Sequence, residues 1–101
     1  MNGQRILVVD DEKGIQEIVS QALKRRGYDT LNAADGDTAL DMAFTAKPDL
    51  IILDLMLPRM DGWEVCRRLK SNKETASIPI IMLTARREET DVVEGLDLGA
   101  D

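Results

Sequence analysis

The sequence predicts an α/β protein built on an open parallel sheet. Strand-like and helix-like segments alternate along the whole chain, the pattern of parallel βαβ units joined by right-handed crossovers. The first, third and fourth strand runs are apolar throughout, as strands covered on both faces are. The second is less apolar and belongs at an edge.

The first strand is RILVVD, residues 5–10, a β-branched run that ends in carboxylates. Ile15, Ile18, Val19, Ala22 and Leu23 then recur at i, i+3, i+4, i+7 and i+8, the stripe of an amphipathic helix. Gly27 ends it, as a glycine just past a helix terminus does. YDTLNAA, residues 28–34, is the second strand, and residues 36–46 bring Ala39, Leu40 and Ala43 to one helical face before Pro48. The third strand, LIILD, occupies residues 50–54. After a loop with Pro58 and Gly62, a third helix turns Val65, Cys66 and Leu69 inward, and Trp63 packs half-buried at its start. IPIIMLTA, residues 78–85, is the fourth strand. Glu88, Glu89 and Asp91 open a last helix, where acids suit the positive end of the dipole. Val92, Val93 and Leu96 form its apolar face.

The chain has 101 residues, enough for one domain. With 44% hydrophobic and 32% charged residues its composition lies in the ordinary globular range. No run approaches the roughly 20 apolar residues that span a bilayer, and no apolar signal segment follows Met1. The single cysteine, Cys66, reads as a small core residue, and the lack of a disulfide framework suits a reducing cytoplasm. The absence of histidine removes His-based nucleophilic triads and most zinc sites. The formal charge of −6 argues against nucleic-acid binding by a broad basic surface.

In an open α/β sheet, ligands bind beyond the carboxyl ends of the strands, where strand order reverses. Asp10 and Asp11 follow the first strand, Asp54 ends the third, and Thr84 ends the fourth. Adjacent strands lie about 4.8 Å apart, so with the first and third as neighbours the three carboxylates crowd into one small volume. Like charges that close oppose folding unless a cation joins them. An oxygen-only donor set favours Mg²⁺ or a similar hard cation. Asp54, nearest the sheet axis, is then placed to act as a carboxylate nucleophile toward a phosphoryl group. Taken alone, Asp10-Asp11 is more often a helix cap than a metal site; the register with Asp54 and Thr84 favours the site.

ILVVDDE, DLIILDLMLPRMDG, IPIIMLTA and GLDLGAD together resemble, in order and spacing, the receiver domain of bacterial two-component response regulators. The resemblance implies a flavodoxin-like sheet of order 2-1-3-4 and a receiver domain over residues 1–101. It implies that Asp54 accepts a phosphoryl group from the phosphohistidine of a sensor histidine kinase. Asp11 would bind Mg²⁺ directly, Asp10 mainly through water, and Met56 through its backbone carbonyl. The Thr84 hydroxyl would move to bond the phosphoryl oxygen, coupling chemistry to a surface change. The output expected by analogy is a C-terminal DNA-binding domain in a parent protein. The family normally continues past GAD into a fifth strand, a lysine and a fifth helix. Without them the fourth strand and the sheet face beside the first helix are expected to be exposed and prone to self-association. Two other readings fit less well. A phosphatase of the haloacid-dehalogenase type carries a second Asp two residues after the nucleophile, where this chain has Met56. A degenerate receiver used only for protein contact would not need the acidic set intact.

Overall fold

The computed structural model describes residues 4–83. Along them run β1 (Arg5–Val9), α1 (Lys13–Arg25), β2 (Asp29–Ala33), α2 (Gly36–Ala46), β3 (Leu50–Asp54), α3 (Gly62–Ser71) and β4 (Ile80–Leu83). All strand pairs are parallel, in the order β2-β1-β3-β4. Consecutive strands β2 and β3 flank β1, so the crevice of the sheet opens between β1 and β3. The expected last helix, with Val92, Val93 and Leu96, lies outside the described residues. Among the described residues no helix is long and apolar enough to cross a membrane.

Side chains alternate across a strand, and the two faces of the sheet differ. Leu7, Val9, Ile51, Leu53, Ile80 and Met82 form one face, buried against Ala39 and Ala43 of α2 and Val65, Cys66 and Leu69 of α3. The small side chains of α2 allow it to sit close to both sheet and α3. Ile6 and Val8 belong to the opposite face, beside α1, and are also buried. Further along that face Leu50, Ile52 and Ile81 are only half-buried, and with Leu23 and Tyr28 they line a groove of about 440 Å³.

The stripe expected of α1 needs correction. Ile18 is 67% exposed and Ala22 is exposed, whereas Ile15, Val19 and Leu23 are half-buried. The fully buried positions are Gln16 and Ser20. Both polar side chains can be buried because the sheet supplies their partners. Ser20 Oγ donates to Asn32 Oδ1 on β2 (3.0 Å), and the Gln16 amide donates to backbone carbonyls at the ends of β1 and β2. The buried face is turned from the apolar stripe toward Gln16 and Ser20, with Ile15, Val19 and Leu23 at its margin.

The helix ends follow ordinary capping chemistry. Asp35 Oδ1 accepts from the Thr38 N–H at the start of α2, and Asp61 Oδ1 accepts from the Glu64 N–H at the start of α3. The bonds to Thr38, helped by the Arg59 guanidinium, hold the Asp35 carboxyl below the usual carboxylate range. Gly27, at φ 93°, takes the turn after α1 in a conformation that disfavours any side chain. Strands β2 and β4 begin later than expected, because Tyr28 and Ile78 belong to the preceding turns. The turn before β4 is held by buried Thr75, whose Oγ1 donates to Leu69 O (2.6 Å). Lys70 Nζ reinforces it by donating to the carbonyls of Ala76 and Ile78.

Candidate functional site

The β1–β3 register pairs Val9 with Leu53, which sets the next residues, Asp10 and Asp54, abreast at the carboxyl edge. Asp54 in turn pairs with Leu83 of β4. Carboxylate oxygens of Asp10, Asp11 and Asp54 lie within 4.8 Å of one another. Asp10 and Asp54 are 1% and 2% exposed, while Asp11 faces solvent. Isolated buried carboxylates cost several kcal/mol each, of the order expected for ions taken out of water, unless hydrogen bonds or a cation compensate them.

Backbone donors aim both buried carboxylates. Asp10 Oδ1 accepts from the Glu12 N–H (2.9 Å), and the Asp10 N–H donates to Ala33 O (3.1 Å). Asp54 Oδ1 accepts from the Met56 N–H (3.0 Å). The alternative role of Asp10-Asp11 as a helix cap is not taken up. The N-cap of α1 is Glu12, whose own side chain makes no capping hydrogen bond. The donor set is all oxygen, small and open on the Asp11 side. That suits a hard divalent cation that keeps water or other oxygen ligands. These residues could therefore hold a metal ion.

The loop after Asp54 is pressed onto the strand that carries it. The Gly62 N–H donates to Leu55 O (2.9 Å), and Leu57 is buried beneath the loop. A Cβ on Gly62 would come within 2.4 Å of Asp54 O and 2.8 Å of Leu55 Cα, both backbone atoms. The position thus requires glycine for this close approach. Gly62→Ala is expected to lose about 1–3 kcal/mol of stability, as overpacking typically does. Urea unfolding reads this directly; an unchanged midpoint would mean that the loop yields without strain. Arg59 in the same loop adopts φ 66°, and its guanidinium lies 3.7 Å from Asp35 at the start of α2.

Of the residues singled out in the sequence, Asp10, Asp11 and Asp54 come together. Met56 adjoins them through its N–H, with its side chain 64% exposed. Thr84 lies outside the described residues. Gly62, expected only to shape the loop, is needed for close approach to β3, and Asp61 beside it caps α3. The D-x-x-E spacing of Asp61 and Glu64, a variant of the capping box, was the available signal for the cap. Gln16, hidden within a helical stripe, carried no such signal.

A parallel α/β domain with an acidic, oxygen-donor cluster at its topological switch point is the class that fold and site define. Over residues 6–101 the chain matches the response regulator receiver domain, and it belongs to that family. It is 54% identical over 98 residues to the alkaline phosphatase synthesis transcriptional regulatory protein PhoP of Bacillus subtilis (strain 168). That match covers 97% of this chain and 40% of the relative, so the chain spans less than half the length of that protein. The crystal structure of the N-terminal domain of a response regulator receiver protein from Methanoculleus marisnigri JR1 is similar at 37% identity and a TM-score of 0.81. The match covers 92% of this chain and 76% of that one. The chemotaxis protein CheY4 of Vibrio cholerae is similar at 35% identity and a TM-score of 0.79, over 95% and 80% of the two chains.

Proposed function

We propose that this receiver domain is a phosphorylation-controlled switch of a two-component system, with Asp54 as phosphoacceptor and a sensor histidine kinase as donor. The observation that carries the reading is the meeting of Asp10, Asp11 and Asp54 oxygens within 4.8 Å at the crevice, two of the three carboxylates buried. A carboxylate oxygen of Asp54 attacks phosphorus, an acyl phosphate forms, and the P–N bond of the donor phosphohistidine breaks. The electron pair stays on the imidazole nitrogen. The Met56 N–H fixes one Asp54 oxygen and leaves the other to attack. Asp11, Asp10, Asp54 and the Met56 carbonyl would hold Mg²⁺, which supplies charge neutralisation for the transferring phosphoryl group. The Thr84 hydroxyl, next in sequence after Leu83, bonds the transferred phosphoryl group and biases a pre-existing surface equilibrium.

The domain promotes its own phosphorylation and hydrolysis and turns over no metabolite. Its place is the cytoplasm. A DNA-binding output domain in a longer polypeptide is supported by likeness to a transcriptional regulator of which this chain matches 40%. With a net charge of −6 this segment leaves nucleic-acid contact to that domain.

Acyl-phosphate chemistry gives a specific test. After incubation with Mg²⁺ and a small-molecule phosphodonor, the label on the domain should be released by hydroxylamine, which cleaves acyl phosphates and leaves phosphoserine and phosphothreonine intact. Label that survives hydroxylamine would place the phosphoryl group elsewhere.

A further inference from the structure

Gln16 is the one residue of α1 that reaches the carboxyl edge of the sheet with a buried side chain. It is 9% exposed, and its Nε2 donates to two backbone carbonyls, Asp10 O (2.5 Å) and Ala33 O (3.1 Å). Both neighbours are acceptors only, so the amide must present its nitrogen, and each of its two N–H groups has one carbonyl to serve. The Asp10 N–H also donates to Ala33 O. Gln16 therefore closes a three-membered network in which the ends of β1 and β2 and the first turn of α1 fix one another. The Gln16 backbone N–H donates to Glu12 O, and the Glu12 N–H donates to Asp10 Oδ1. The network runs unbroken from the Gln16 amide to the Asp10 carboxylate. The strand-end segment from Asp10 to Glu12, which carries two of the three acidic ligands, is clamped from beneath.

We infer that Gln16 is a positioning residue for the cation site: it sets the Asp10-Asp11 pair over Asp54 without touching the metal. The inference rests on the reading of the acidic cluster as a Mg²⁺ site. Supporting contacts around metal ligands commonly change metal affinity by about 10- to 100-fold when removed. Gln16→Met keeps length and removes both donors. Gln16→Glu sets carboxylate oxygens against two carbonyl oxygens and adds a fourth negative charge nearby.

The test is Mg²⁺ titration of the full chain by calorimetry, with thermal unfolding of the metal-free protein alongside. Gln16→Met should weaken Mg²⁺ about 10-fold and Gln16→Glu should weaken it too. Ser20→Ala, which removes the other buried polar contact between α1 and β2, should lower stability and leave the Mg²⁺ affinity at the wild-type value. Equal affinity in wild type and Gln16→Met would overturn the inference, as would an equal loss in Ser20→Ala, which would make Gln16 only a packing residue. Absence of Mg²⁺ binding in the wild type would instead overturn the reading of the cluster, and the inference with it. Should Gln16→Met fail to fold, NMR of the wild type decides. The Gln16 side-chain amide resonances should shift with the same Mg²⁺ midpoint as the Asp11 backbone amide, and resonances that stay still would refute the clamp.

Discussion

Asp54→Asn is expected to abolish phosphorylation while making the metal-free protein more stable. The substitution is nearly isosteric, and the Asn Oδ1 still accepts the Met56 N–H that aims the wild-type carboxylate. What changes is charge. Asp54 is buried and shares a volume of 4.8 Å reach with Asp10 and Asp11, so three negative charges become two. Removing one member of a crowded like-charge set should gain on the order of 1 kcal/mol, which for a domain of this size raises the midpoint by about 4–8 °C. The gain belongs to the metal-free state and should shrink when Mg²⁺ is added, because a cation held by the cluster would already relieve the repulsion in the wild type. Differential scanning fluorimetry with and without Mg²⁺ checks both halves. A loss of stability on Asp54→Asn would mean that the carboxylate is held by favourable contacts that outweigh the crowding.

Mg²⁺ itself should stabilise the wild type, and Asp11→Ala should remove most of that effect. A ligand that binds only the folded state at about 100 times its dissociation constant contributes about 2.7 kcal/mol, a rise of about 11–22 °C here. Asp11 is the exposed member of the cluster, so its replacement by Ala leaves no cavity and no buried group without solvent. Its effect should therefore fall on the metal and not on the fold. The metal-free midpoint should stay near the wild-type value or rise slightly, and the Mg²⁺-induced rise should fall to a few degrees. An undiminished Mg²⁺ effect in Asp11→Ala would move the principal ligand to another residue.

Much of this was legible in the sequence because it rests on periodicity and register. Apolar runs at Leu50-Ile51-Ile52-Leu53 and Ile6-Leu7-Val8-Val9 announce interior strands; β1 is buried on both faces, whereas Leu50 and Ile52 of β3 are only half-buried on the α1 side. Their common ending in aspartate becomes a site once the strands are neighbours, and the observed Val9–Leu53 pairing makes them so. What was not legible depends on side chains that break the binary pattern. Gln16 and Ser20 are polar yet buried, because the sheet edge offers them carbonyl and amide partners that no hydropathy pattern encodes. Ile18 is apolar yet exposed, at the outer margin of a stripe whose Ile15, Val19 and Leu23 are half-buried. Gly62 looked like any turn glycine, since its near contact is with the Asp54 backbone, eight positions earlier in the chain, and appears only when loop and strand are seen together.

The proposed switch rests on Asp54 as a metal-dependent phosphoacceptor. Intact-mass spectrometry of the wild-type chain and Asp54→Asn, each incubated with a small-molecule phosphodonor in Mg²⁺ or in EDTA, tests it most directly. One added phosphoryl group is expected in the wild type with Mg²⁺ and none in the other three samples. Equal addition in Asp54→Asn, or in EDTA, would contradict the proposal.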